Sequence, residues 1–145
     1  MKIDEIQLMW ESDCGIDDNY LGEAATFTPK LHSKYIKLVV EAKLKLSKLN
    51  SDYNTLRKTK FRYYRGEMSK IELAEVGWDQ WQGIKPLKGE MDEILTGDTD
   101  LNTINLKIEY LGSMIYLLES ILGQIRSRDF QIKNGIAWKQ FLAGM

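Results

Sequence analysis

From Asp98 to Arg126 the chain reads DTDLNTINLKIEYLGSMIYLLESILGQIR. Leu101, Ile104, Ile108, Leu111, Ile115, Leu118, Leu122 and Ile125 recur there in strict three-four alternation, and all eight are apolar. That spacing is the mark of a helix that lays one face along another helix. Asp98-Thr99-Asp100 offers side-chain acceptors for the free N–H groups of its first turn. Tyr110, Met114, Leu117 and Ile121 form a second apolar stripe beside the first. One neighbouring helix covers one stripe, so two stripes predict self-association as well as packing within the chain. Gly112, Ser113, Ser120 and Gly123 provide small surfaces for close helix approach.

Beyond Arg128 a last amphipathic stretch carries Phe130, Ile136, Phe141 and Leu142. Leu111, Ile115, Leu118, Leu122, Phe130, Ile136 and Phe141 are therefore the candidate oligomerisation residues. Upstream, a short helix is predicted from Ile3 to Glu11. Asp17-Asp18-Asn19 reads as an N-cap cluster for a second short helix from Tyr20 to Phe27. Thr28-Pro29 then reads as N-cap plus proline at the first helical position, opening a long helix that runs to Arg65 and ends at Gly66. Its apolar stripe is Leu31, Tyr35, Leu38, Ala42, Leu46, Leu49, Tyr53 and Leu56, with a stutter at Leu38-Ala42-Leu46. Ser69-Lys70-Ile71-Glu72 has the form of a capping box and predicts a brief helix. Gly77, Gly83, Pro86 and Gly89 argue for loop around Trp78 and Trp81, which serve either as core plugs or as a protein-docking spot.

The expected fold is all-α: a long helical hairpin of coiled-coil-like helices with short terminal helices. It forms one helical domain over 1–145. Within it lie acidic N-terminal helices (1–29), a long basic helix (30–66), an acidic loop region (67–100), and the heptad helix with its tail (101–145). A single cysteine, Cys14, excludes an intramolecular disulfide. The acidic start lacks the apolar core of a signal peptide. The longest apolar run, Tyr110 to Leu118, is too short to span a bilayer. A soluble, intracellular protein is expected.

Charge is strongly segregated. Residues 30–70 hold twelve Lys and Arg against three Asp and Glu, or nine net positive charges, while the whole chain sums to −1. Residues 1–29 hold one Lys against seven acids, and residues 71–100 two against eight. One surface is thus suited to polyanions, although a Lys-rich helix is also simply a solvated face. The window ends in Arg57-Lys58-Thr59-Lys60-Phe61-Arg62-Tyr63-Tyr64-Arg65, where cations interleave with aromatics. Lys58, Arg62 and Arg65 recur at i, i+4 and i+7 and form a cationic strip, flanked by Arg57 and Lys60. Such a strip attracts phosphates with steep salt dependence. Phe61, Tyr63 and Tyr64 offer faces on which unpaired bases stack, though Tyr63 fits better as a packed residue. No base-reading motif is present. Anionic membrane is a competing polyanion, but no free bulky apolar face opposes the strip for insertion.

Enzymatic chemistry finds little support. No Gly-rich phosphate loop occurs, and one His (His32) with one Cys does not make a zinc site. Glu90, Asp92, Glu93, Asp98 and Asp100 could hold Mg²⁺ for a small metal-dependent nuclease, but such acids commonly serve as loop charges and helix caps. No cofactor is expected. A helical scaffold or structural oligomer without DNA function is the other alternative.

Lys58-Thr59-Lys60-Phe61-Arg62-Tyr63-Tyr64-Arg65-Gly66 resembles the Lys-x-Arg-x-x-Tyr-Tyr-x-Gly segment of the UvsY-type recombination mediators of large tailed phages. Ile125-Arg126-Ser127-Arg128-Asp129-Phe130-Gln131-Ile132-Lys133 resembles that family's Ile-Lys-Ser-Arg-Gly-Phe-Ala-Ile-Lys. Glu23-Ala24-Ala25, Asp98-Thr99 and the closing Ala143-Gly144 also match in order. The stretch 76–83 departs from the family. The resemblance implies a non-enzymatic, single-stranded-DNA-binding homo-oligomer, a heptameric ring. It would load a RecA-like phage recombinase onto strands coated by the phage single-strand-DNA-binding protein, in the cytoplasm of the infected bacterial host. The family's DNA-contacting Lys and Arg fall on Lys58 and Lys60. At the second, Lys keeps the charge but lacks the planar fork of Arg, with Arg57, Arg62 and Arg65 as further cations. Arg57, Lys58, Lys60, Arg62, Tyr64 and Arg65 are the candidate nucleic-acid-binding residues.

Overall fold

The computed structural model describes residues 1–144, and the regular structure among them is entirely helical. The elements are α1 (Ile3–Asp13), α2 (Leu21–Tyr64), α3 (Lys70–Val76), α4 (Met91–Thr96), α5 (Thr99–Arg126) and α6 (Arg128–Leu142). They form two compact units, one of Met1–Leu44 with Leu111–Met145 and the other of Lys45–Tyr110.

The boundary expected at Thr28-Pro29 is not there. Residues 21 to 64 form one continuous helix with Pro29 inside it. Asp17 instead organises the turn before α2, its carboxylate accepting from the Asn19 N–H at 2.9 Å. The Thr28 hydroxyl, expected to cap a new helix, donates back to the Ala24 carbonyl at 3.3 Å. Arg128, buried at the start of α6, donates to the Thr28 hydroxyl at 3.1 Å and to the Ala24 carbonyl at 3.5 Å. A proline in a helix interior forgoes one backbone bond and costs about 3 kcal/mol. Tertiary bonds from Arg128 brace the turn that Pro29 weakens.

In the first unit, Leu31, Tyr35, Val39 and Ala42 of α2 are buried, as are Met114, Ile115, Leu118, Ile121, Leu122 and Ile125 of α5. Both apolar stripes of α5 are thus partly consumed within the chain. Ile6 of α1 and Ile132 of α6 complete the core. Tyr35, fully buried, meets Trp10 edge-on at 5.4 Å and donates its hydroxyl to Asp13 at 2.9 Å. No close helix approach is made at Gly112 or Gly123, since no neighbour lies within 4 Å of where a Cβ would stand.

In the second unit, α2 ends in a Schellman turn. Gly66, at φ +70°, donates to the Tyr63 carbonyl, and Glu67 donates to that of Arg62. The capping box is present: Ser69 accepts from the Glu72 N–H at 3.2 Å, and Glu72 accepts from the Ser69 N–H at 3.3 Å. α4 lies where only loop signals were legible. Its Met91 and Leu95 join Leu101 in a buried cluster against which Tyr53, Leu56, Phe61 and Tyr64 pack.

Candidate nucleic-acid interface

The last turns of α2 carry the expected cations, but the helix distributes them round its axis. Lys60 lies four residues after Leu56 and seven after Tyr53, so it continues the apolar stripe into the core. Its side chain is 8% exposed. Nζ sits 3.1 Å from the Asp98 carboxylate and 2.8 Å from that of Asp100, and 4.1 Å from the centroid of the Trp78 ring. Burial opposes its charge, yet the Asp100 and Asp98 carboxylates outweigh that and hold its pKa above the ordinary lysine value. Lys60 is an internal ion-pair partner and not a surface cation.

Tyr64 is also packed against the unit's interior. Its ring packs on the Met91–Leu95–Leu101 cluster, and its hydroxyl donates to Asp98 at 2.6 Å. Burial and that carboxylate push the Tyr64 pKa up. Asp98 also accepts from the Leu101 N–H at 3.0 Å as the N-cap of α5. Although burial resists its charge, the bonds from Tyr64, Leu101 and Lys60 hold it below the usual carboxylate range. One buried carboxylate therefore joins the end of α2 to the start of α5. Tyr63 is packed as well, meeting the Trp78 ring at 5.2 Å and donating to the Asp79 carbonyl at 2.7 Å. Trp81 meets Tyr64 edge-on at 4.8 Å and covers Gly83, where any Cβ would fall 2.2 Å from the indole. The tryptophans thus wedge the loop onto the helix end.

The remaining cations reach the surface, and most are already paired. Arg62 grips Glu72 through two hydrogen bonds of 2.7 and 3.1 Å. That guanidinium holds the Glu72 pKa down to about 2. Arg57 meets Asp92 at 3.1 Å, and Arg65 meets Glu67 at 2.8 Å. Lys58 is exposed and has no acidic partner among the described residues. Four of the five acids considered for a metal are spent otherwise. Asp92, Asp98 and Asp100 pair with cations, and Glu90 accepts from the Leu87 N–H. Among the described residues no group of three or more His, Cys, Asp or Glu is placed to hold a metal ion.

The oligomerisation candidates also divide. Ile115, Leu118 and Leu122 are buried in the chain's own core, and Leu111 is half-buried. Phe130, Ile136 and Phe141 are exposed on α6, Phe130 by 74% and Phe141 by 69%. Trp138, not singled out in the sequence, is 60% exposed and stacks on Phe141 at 5.6 Å. No helix is long and apolar enough to cross a membrane among the described residues.

A family model described as recombination, repair and ssDNA binding protein UvsY matches residues 9–145. The chain belongs to the UvsY family. It is similar to the recombination protein uvsY of Enterobacteria phage T4, 24% identical over 144 residues and 99% of each chain. Crystal structures of the bacteriophage T4 recombination mediator protein UvsY share its fold. Lattice type II matches with a TM-score of 0.85 at 23% identity, over 99% of this chain and 98% of that one. Lattice type IV gives 0.85 at 22%, over 97% and 99%. The UvsY family is one of DNA-binding recombination proteins and not of enzymes.

Proposed function

We propose that this UvsY-family chain binds single-stranded DNA through the outer face of the last turns of α2. There it acts as a recombination mediator that loads a RecA-like phage recombinase onto strands coated by the phage single-strand-DNA-binding protein. It works in the cytoplasm of the infected bacterial host as a ring homo-oligomer, a heptamer, with no catalytic step. The observation that carries this is the exposed Lys58, without an acidic partner among the described residues, beside Arg65 in a net-positive window. Arg62 and Arg57 border that face. Lys60 and Tyr64 support it from inside, by fixing the helix end on Asp98.

The physical work is a contest for one strand. A few cations per protomer make a weak phosphate site, and a ring repeats that site at high effective concentration. Exposed Phe130, Ile136, Trp138 and Phe141 on α6 are the proposed subunit contact. A salt series of fluorescence anisotropy with labelled single strands tests the reading. Affinity is expected to fall with salt by a log–log slope of about −0.7 per phosphate neutralised. Binding should be indifferent to sequence, with the strand left intact. A scaffold would not bind, and a nuclease would cut.

A further inference from the structure

Three of the four cations that reach the surface of the α2 terminus are held by carboxylates of the same compact unit. At about 100° per residue, Lys58 and Arg65 lie within about 20° of each other round the helix. Arg62 lies about 40° to one side of Lys58 and Arg57 about 100° to the other. Glu72 of α3 holds Arg62, and Asp92 of α4 holds Arg57. These acids come from 10 and 35 residues away in sequence, and they stand on both borders of the face where Lys58 is open to solvent. Glu67 is only two residues from Arg65, so its pairing is local and would persist whatever the segment did.

We propose that the acidic segment carrying Glu72 and Asp92 is a built-in competitor for the strand, its carboxylates occupying Arg62 and Arg57 in place of DNA phosphates. This rests on the single-strand-binding reading above and adds a regulatory contact to it. A carboxylate and a phosphate oxygen accept from the same guanidinium fork, so DNA competes with Glu72 for both terminal nitrogens of Arg62 and with Asp92 for the one Arg57 nitrogen it holds. The pairings are of two kinds. Lys60–Asp98 is interior, with side chains 8% and 3% exposed, and stays closed as a structural lock. Arg57–Asp92 lies in solvent, the Asp92 side chain 90% exposed, and such exposed pairs are weak enough to exchange. Arg62–Glu72 is bidentate and half-exposed, intermediate between the two. The consequence is a site that holds DNA through Lys58 at first and engages its bordering arginines only under strong competition. That suits a protein whose task is to take up a strand and pass it on.

The test compares two full-length variants with equal charge change. Glu72→Gln/Asp92→Asn removes both competing carboxylates, while Gln at 72 keeps the capping box with Ser69. Glu75→Gln/Glu93→Gln neutralises two acids of the same segment that lie outside these pairings. Binding to a labelled oligothymidylate is measured across a salt series, with helicity checked by circular dichroism. The paired-site variant is expected to bind about three- to tenfold tighter, and its log–log salt slope to steepen by about 0.7 for each additional phosphate neutralised. The control variant is expected to tighten by less than about twofold, through the long-range field alone. Equal tightening in both variants would overturn the competitor. Loss of affinity in the first would also overturn it, showing that the carboxylates orient the arginines for DNA. Should that variant lose helicity, Asp92→Asn alone decides, because the Asp92 carboxylate is bound to Arg57 from solvent and holds no part of the core; about a twofold tightening is expected, and no change would overturn the proposal. A wild-type chain that failed to bind at all would instead sink the single-strand-binding reading, and the competitor with it.

Discussion

Lys60 Nζ lies 3.1 Å from the Asp98 carboxylate, with both side chains almost wholly shielded from water. The lysine stands on the apolar stripe of α2 and the aspartate is the N-cap of α5, so the contact ties the start of α5 to the end of α2. Among the described residues no buried side-chain nitrogen or oxygen lacks a hydrogen-bond partner. Removing one member of such a pair leaves the other buried and uncompensated, which costs more than the pair contributed.

Lys60→Ala is accordingly expected to lower stability by about 3 kcal/mol, seen as a lower urea midpoint. Lys58→Ala, on the open face, is expected to change stability by less than about 0.5 kcal/mol while weakening single-strand binding. Neighbouring lysines would thus separate into a folding residue and a DNA residue. Equal stability of the two variants would refute the assignment.

Stability should fall on acidification. Asp98 and Glu72 both titrate below their ordinary values of 3.8 and 4.5. The unfolded chain therefore binds more protons as pH drops, and stability present above about pH 4.5 is lost as pH falls through the lower folded values. Lys60 works with the opposite sign. Its raised pKa contributes stability below its ordinary 10.5 that is lost as pH rises through the folded value. Urea midpoints across pH are expected to show a plateau between these limbs, and Asp98→Asn should shrink the acid limb.

Arg128 and Pro29 make a pair of predictions with opposite signs. Arg128→Ala removes a buried guanidinium from the Thr28 hydroxyl and the Ala24 carbonyl, with an expected loss of about 2 kcal/mol. Pro29→Ala restores a backbone donor inside α2 and should stabilise by about 1–3 kcal/mol. Thermal melts of the two variants check both signs.

Assembly should depend on α6 and not on the buried heptad. Phe141→Asp or Ile136→Asp, on exposed side chains, is expected to break the oligomer while helicity is kept. DNA affinity would then drop although the cationic face is unchanged. Leu118→Asp, at a site with 0% exposure, should instead unfold the chain. Analytical ultracentrifugation with circular dichroism separates the outcomes. A Phe141→Asp protein that sedimented like the wild type would remove α6 from the interface.

The sequence alone determined α5, the start of α3 and the stop of α2. The three-four pattern from Leu101 to Ile125 defines α5, Ser69 and Glu72 define the start of α3, and Gly66 the stop of α2, because periodicity, capping and chain reversal are local properties. Charge segregation pointed to the end of α2 for the same reason. Lys60 was half legible, since it falls in step with Tyr53 and Leu56, but its charge argued for solvent. Only the arrival of Asp98 and Asp100 makes its burial tolerable. Pro29 shows the same limit. Local rules read it as a helix start, and Arg128, 100 residues from Thr28, braces a turn that local rules would break. Which apolar stripe residues face the core and which remain for a neighbour, and which cations are open and which already hold a carboxylate, were decided by tertiary structure. Partner choice depends on groups far apart in the chain, and no local pattern encodes that distance.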